Sequence, residues 1–214
     1  MTSTVYFNQI ADQWDTMRQS FFPDAVREAA ITAASAQPGD RAADIGAGSG
    51  FITEVLLNAG LTVAAVDPSE NMLAILRDKF GATDRLELHL GTAEPIPLPD
   101  ESVSFTFANM CLHHVETPPN AIREMARILR PGGKLIITDL DPHTFRFLVE
   151  EQHDRWMGFD RAEIARWFVN AGLTEVTVTS VGSNCCADSE CGTQRAAVNI
   201  FIAVGVKALS PTNT

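Results

Sequence analysis

Between residues 43 and 51 the chain reads Ala43-Asp44-Ile45-Gly46-Ala47-Gly48-Ser49-Gly50-Phe51, and this run constrains the fold more than any other. A strand-like apolar stretch feeds alternate glycines, and a helical pattern follows. Glycine adopts backbone angles closed to other residues and lets a ligand approach without a Cβ in the way. A strand, a tight turn and a helix make the opening unit of an α/β fold, and the first helical N–H groups face whatever occupies the turn. A ligand-free βα turn is the simpler reading, but alternate glycines weaken local structure unless something requires them.

The spacing narrows the ligand. A dinucleotide fingerprint begun at Gly46 needs glycine at position 51, where Phe51 stands. Asp44 ends the strand just before the turn; a carboxylate there repels a diphosphate and attracts an ammonium group. A second acid, Asp67, follows Gly46 by 67 − 46 = 21 residues, at the end of the next strand-like run. In that place an acid accepts ribose hydroxyls, and it also suits the start of a helix. Beyond a third strand, Gly91-Thr92-Ala93-Glu94 precedes a proline-rich loop. Thr92 can hydrogen-bond an adenine edge, and Ala93 leaves room for the ring.

The remaining chain alternates strand and helix patterns, which predicts a mostly parallel sheet. Strands are expected at Arg41–Ile45, Thr62–Val66, Arg85–Leu90, Val103–Ala108, Lys134–Asp139, Glu175–Val181 and Ala197–Val206. A helical region precedes Pro38-Gly39. Further helices run to Asn58, start near Ser69, span Pro118–Leu129 and begin at the capping box Asp160-x-x-Glu163, the last ending at Gly172. The last two strands follow one another without a helix, so they pair antiparallel. One domain over residues 1–209 is expected, with a helical cap over about residues 1–37 and a frayed tail at 210–214.

Composition excludes several partners. The net charge is -11, which opposes nucleic acid and anionic membrane surfaces. No basic, apolar leader opens the chain, and no stretch is apolar enough to span a bilayer, so a cytoplasmic protein with reduced cysteines is expected.

Taken together, these segments, with Ser104–Val115, Arg130-Pro131-Gly132-Gly133 and the opening Phe7-Asn8-Gln9-Ile10-Ala11-Asp12-Gln13-Trp14-Asp15, resemble class I methyltransferases. The similarity is greatest to the group that includes menaquinone/ubiquinone C-methyltransferases and arsenite methyltransferases. It implies a Rossmann-like seven-stranded, mostly parallel sheet with helices on both faces and the last strand antiparallel. It implies S-adenosyl-L-methionine as cofactor and a small-molecule substrate. Asp44, Gly46 and Gly48 would hold the methionine part and Asp67 the ribose. Pro68, Ser69 and Met72 would line the adenosine, Thr92, Ala93 and Glu94 would flank the adenine, and Asn109 and Met110 would sit by the sulfonium. The chain departs from the group at Ser104, where an Asp is usual.

Ligands of open α/β sheets bind beyond the carboxyl ends of the strands. Cys111, His113 and His114 follow the fourth strand, and Asp139, Asp141 and His143 follow the fifth. Cys185, Cys186 and Cys191 fall between the sixth and seventh. His113, His114 and His143 are the candidates for a general base, needed only if the acceptor loses a proton. The four cysteines could form a soft-ligand site for arsenite or a thiophilic metal, or fill a loop as small apolar residues. Trp156, Phe159, Trp167 and Phe168 read as core or lid aromatics. An arsenite or thiol methyltransferase, a non-catalytic adenosylmethionine-binding regulator and an NAD-dependent oxidoreductase are the alternatives.

Overall fold

The computed structural model describes residues 3–189 and 191–209; the predicted tail at 210–214 lies outside them. Two helices, α1 (Ser3–Phe21) and α2 (Ala25–Ala34), precede the sheet. The chain then runs β1 (Arg41–Ile45), α3 (Phe51–Asn58), β2 (Thr62–Asp67), α4 (Glu70–Phe80), β3 (Leu86–Leu90) and β4 (Val103–Asn109). After a 3-10 turn at Leu112–His114 come α5 (Pro118–Arg127), β5 (Leu129–Leu140), α6 (Arg146–Glu151), α7 (Arg161–Asn170), β6 (Leu173–Asp188) and β7 (Arg195–Lys207).

The strands form one seven-stranded sheet in the order β3-β2-β1-β4-β5-β7-β6. β1 to β5 pair in parallel, and β7 runs antiparallel to both β5 and β6. The central strands are buried on both faces, as a parallel sheet between two helix layers must be. Successive side chains of β2 alternate between those layers. Ala64 and Val66 pack with Ile122 and Met125 of α5 and Ile164 and Phe168 of α7. Val63 packs with Val26 of α2 and Ile52 and Leu56 of α3, while Ala65 meets Leu73 and Leu76 of α4. The order reverses beside β1, where the chain has gone out to β3 and returns at β4. The carboxyl ends of β1 and β4 therefore part at that point and leave a crevice.

The local signals act where expected. Gly60, at φ +86°, follows the last turn of α3. Asp160 accepts from the Ala162 and Glu163 amides at the start of α7, although Glu163 turns outward to Arg166 instead of closing the box. Among the described residues no helix is long and apolar enough to cross a membrane.

The expected boundaries fail in two places. Helix α5 stops at Arg127, and β5 begins at Leu129: Val103 pairs with Leu129 and Phe105 with Lys134, so Pro131 and Gly132 bulge from a strand that continues past them. The last hairpin is far longer than its apolar core, because β6 and β7 pair out to Asp188 and Arg195. Cys185 and Cys186 therefore belong to a strand and not to a loop. Irregular register near Gly182 lets that long ribbon twist.

Phe168 is fully buried between α7 and the sheet. Phe168→Ala should lower unfolding free energy by about 3–5 kcal/mol in urea titration, the usual cost of removing a buried aromatic ring. A loss near zero would mean that this face of the sheet is not the packed core described.

Candidate active site

The glycine turn is built from the backbone up. The Gly46 and Ala47 amides both donate to the Val66 carbonyl, at 2.8 and 3.2 Å, which ties the turn to the neighbouring strand. Gly46 sits at φ +70°, and a Cβ there would lie 2.4 Å from Cys111 Sγ. Gly50, at φ +100°, is pressed against Leu76 and Phe80 of α4 in the same way. Only glycine combines those angles with those neighbours.

Asp67 closes the arrangement. Its two carboxylate oxygens accept from the Gly48 and Ser69 amides, both at 2.8 Å. One residue thereby links the turn, the end of β2 and the start of α4. Burial raises its pKa to about 6 even though both hydrogen bonds favour the charged form. Each oxygen keeps a further lone pair for a donor on a ligand.

Above the turn lies a cavity of about 290 Å³. Of the residues that the sequence assigns to the cofactor, Gly46, Gly48, Asp67, Pro68, Met72, Thr92, Ala93, Glu94, Asn109 and Met110 line it. Glu94 is held by the Glu116 and Thr117 amides, at 3.1 and 2.9 Å, and so ties the loop after β3 to the start of α5. Asn109 accepts from Thr138 at 2.7 Å, and Met110 takes an unusual φ of +50° at the mouth of β4. Such a strained non-glycine backbone is common beside ligands.

Asp44 and Ser69 are placed differently. Asp44 lies beneath the turn, off the cavity wall, and accepts from the Thr53 hydroxyl at 2.7 Å. Burial lifts its pKa to about 7, with the Asp67 charge adding to the shift. Ser69 caps α4 through the Met72 amide and donates to Asn8 of α1 at 2.6 Å.

Helix α1 supplies walls that the sequence left without a role. Phe7, Trp14 and Arg18 line the cavity, as does Arg155 from the segment after α6. Phe7 packs edge-on against both Trp14 and His114. Arg18 lies over the Phe51 ring, 4.1 Å from its centre. The signal for Phe7 and Trp14 was present in the opening segment, because residues seven apart share one face of a helix.

A smaller cavity of about 50 Å³ adjoins the first and shares Phe7, Trp14, Phe22, Met110 and His114 with it. Its polar end is formed by His113, His114, Gln152 and Asp154. Asp139, at the end of β5, organises this corner. Its carboxylate accepts from the Leu112 and His113 amides and lies 2.7 Å from His113 Nδ1. Burial alone would depress His113, but Asp139 and Asp154 outweigh it and lift the imidazole to about 9. Burial and the adjacent His113 charge push His114 well below its ordinary value.

His143 stands apart from both cavities and accepts from the Phe145 amide. The cysteines do not gather. Cys111 lies on the wall of the larger cavity and Cys185 on that of the smaller, both with thiols raised first by burial. Cys186 alternates away from Cys185 along β6, and Cys191 is exposed at the hairpin tip. A soft-ligand site fails because two of the cysteines are locked in a strand, whose neighbours point to opposite faces.

With the glycine turn, Asp67 and the sheet order in place, the chain is similar to S-adenosylmethionine-dependent methyltransferases in part of its sequence and in its fold. Residues 43–137 match the family model described as a methyltransferase domain. An uncharacterized methyltransferase of Mycobacterium tuberculosis is 41% identical over 129 residues, 60% of this chain and 49% of that protein. A demethylmenaquinone methyltransferase of Tropheryma whipplei is 30% identical over 145 residues, 66% of this chain and 60% of that protein. The chain thus spans about half the length of the first relative. Among solved structures, the [4+2]-cyclase SpnF superposes with a TM-score of 0.77 at 14% identity, covering 98% of each chain. A Haemonchus contortus phosphoethanolamine N-methyltransferase, solved with phosphomonomethylethanolamine and S-adenosylhomocysteine, gives 0.71 at 18% identity, covering 85% of this chain and 52% of that one. At these identities the structural likeness is one of fold.

Gly46→Ala should lower stability by about 2 kcal/mol or more, from left-handed strain and the collision with Cys111. Adding Cys111→Ala should recover part of the loss in thermal melts, since it removes the nearest atom. Equal melting of the single and double variants would show that the Cys111 contact carries none of the cost.

Proposed function

We propose that this chain transfers a methyl group from S-adenosyl-L-methionine to a small-molecule acceptor in the cytoplasm. The observation that carries the reading is the Asp67 carboxylate, fixed by two backbone amides at the edge of the larger cavity with lone pairs to spare. That pair of acceptors suits vicinal ribose hydroxyls. The acidic surroundings of Asp44, Asp67 and Glu94 suit a sulfonium cation and disfavour a diphosphate. Bound there, the cofactor supplies a methyl group on positively charged sulfur, already activated toward a nucleophile.

The chain's own residues bind and orient. Asp67 would accept the ribose hydroxyls, with Pro68 and Met72 beside the adenosine and Ser69 holding the start of α4 in place. Thr92, Ala93 and Glu94 would flank the adenine. Gly46 and Gly48 would give the methionine part its room, with Asp44 acting from below the turn, and Asn109 and Met110 would face the sulfur. Phe7 and Trp14 exclude water from the same space, which strengthens the electrostatics within it.

The smaller cavity is the natural chamber for the acceptor, because Met110 and His114 border both spaces. Its walls are mainly apolar, and its polar groups collect at one end, where an acceptor's proton would be managed by His113 and His114. An arsenite or thiol methyltransferase built on the cysteines has no support, because they do not converge.

The reading is tested first by titration with S-adenosylhomocysteine. Binding should be saturable, and Asp67→Ala should weaken it about tenfold or more, the cost of losing hydrogen bonds to a charged group. Failure to bind would overturn the reading.

The pH dependence follows from the same acid. An ionised Asp67 accepts the ribose hydroxyls, and its pKa of about 6 means the charge is lost as pH falls through that value. Asp44, at about 7, changes in the same direction. Affinity should therefore be full at pH 8 and at least about fourfold lower at pH 5.5, counting Asp67 alone. Asp67→Asn should bind weakly at both values, with a flatter profile. A wild-type affinity that rises on acidification would contradict the assignment.

A further inference from the structure

We propose that His113, His114 and Asp154 hold a single divalent first-row transition-metal ion, of zinc-like chemistry, at the polar end of the smaller cavity. Nothing in the matched family model or the relatives' names speaks of a metal, so the case rests on this corner of the structure. One ligand atom from each of the three residues lies within 4.8 Å of the other two. His113 Nε2 is 3.7 Å and His114 Nε2 3.9 Å from the same Asp154 oxygen. Those separations are too long for hydrogen bonds. They are slightly wider than the ~3.4 Å expected between neighbouring donors about 2.1 Å from a tetrahedral ion.

Asp154 supplies an independent observation. It is only 5% exposed, yet its carboxylate accepts no hydrogen bond from any described residue, and the two imidazoles are its nearest partners. A buried carboxylate without a hydrogen bond is costly, and its oxygen faces the imidazoles across a gap. A metal ion in that gap would compensate it more closely than the His113 charge 3.7 Å away.

His113 carries the second mark of a metal ligand. Its Nδ1 is 2.7 Å from Asp139, which orients the ring and turns Nε2 toward Asp154; an ion bound there would displace the Nε2 proton. Metal-binding histidines are commonly oriented by a carboxylate in this way. The frame is stiff. Asp139 also accepts from the amides of Leu112, His113 and Leu140, and the Arg155 and Trp156 amides both donate to the His113 carbonyl. That last pair of bonds binds the segment carrying Asp154 to the turn carrying both histidines.

Two imidazoles, His113 giving up its Nε2 proton to the ion, and one carboxylate are a donor set for borderline divalent ions, not for magnesium or calcium. Three protein ligands leave a coordination position open, as in catalytic and not structural zinc sites. His114 borders both cavities and Asp154 the smaller, so the open position faces the proposed acceptor chamber. The ion would orient an acceptor oxygen, nitrogen or sulfur there. That role rests on the proposed function; the binding of the ion does not.

The test uses the full, tag-free chain stripped with a chelator and titrated with Co²⁺ alone. We expect one equivalent to bind with ligand-field absorption of low coordination number, and Zn²⁺ to displace it. Asp154→Asn should weaken binding about tenfold or more, and Asp139→Asn by a factor of about 10 to 100 through the orientation of His113. Circular dichroism confirms that each variant is folded, and a third variant, His114→Ala, should also lose the absorption. Absence of stoichiometric uptake by the wild-type chain, or uptake that Asp154→Asn and His114→Ala leave unchanged, would overturn the proposal and leave the corner as a proton-handling group. S-adenosylhomocysteine titrated into the same samples separates the two readings: cofactor binding without metal uptake defeats only the metal site, and metal uptake without cofactor binding defeats only the methyltransferase assignment.

Discussion

One buried carboxylate holds the ligand face of this molecule together. Asp67 receives the Gly48 and Ser69 amides, so the turn after β1, the end of β2 and the first turn of α4 share a single anchor. Burial raises its pKa while the two bonds oppose the rise, and the group stays near the point where it can lose its charge. A carboxylate at that position is expensive unless it is satisfied, and two backbone amides satisfy it only in part. The same economy recurs on the other side of the crevice, where Asp139 accepts amides from the turn after β4 and fixes His113. The crevice is thus bordered by two acids at strand ends, each of which shapes a neighbouring turn.

Much of this was readable from the sequence, because the signals were local. The glycine turn reports a backbone requirement that no other residue meets, and the strands of the central sheet are apolar runs bounded by breakers. Asp67 could be placed because its distance from Gly46 is set by the intervening helix and strand. Asp44 was harder. Its position at the strand end was clear, but strand alternation and the Thr53 hydroxyl turn its side chain under the floor instead of into the cavity. The long hairpin escaped notice since its outer half carries little apolar alternation; pairing across it, not propensity, extends the strands.

Asp154 lay beyond sequence reading altogether. It belongs to an irregular segment between α6 and α7, with no period or cap to place it, and it reaches the histidines only because Arg155 and Trp156 pair with the His113 carbonyl. The cysteines illustrate the reverse error. Topology puts Cys111 and Cys185 near the crevice, but nearness to one end of a sheet is not convergence, and each lies on a different cavity wall. Side-chain direction, set by strand register, decides between the two.

Helix α1 shows how binding and folding are coupled here. Only Ala11 of its residues is fully buried, so apolar packing against the domain contributes little to its position. It is held instead by polar contacts at both margins of the crevice: Asn8 with Ser69 and Asn71 on one side, Asp15 with Ser49 and Lys79 nearby, and Tyr6 with Gln152 on the other. Contacts of this kind, part-buried or exposed, are individually modest. The larger apolar surfaces of the helix, Phe7 and Trp14, face the cavity. A ligand filling that space gives them the packing the bare domain does not, so the free energy of ordering α1 and that of binding are drawn from the same contacts.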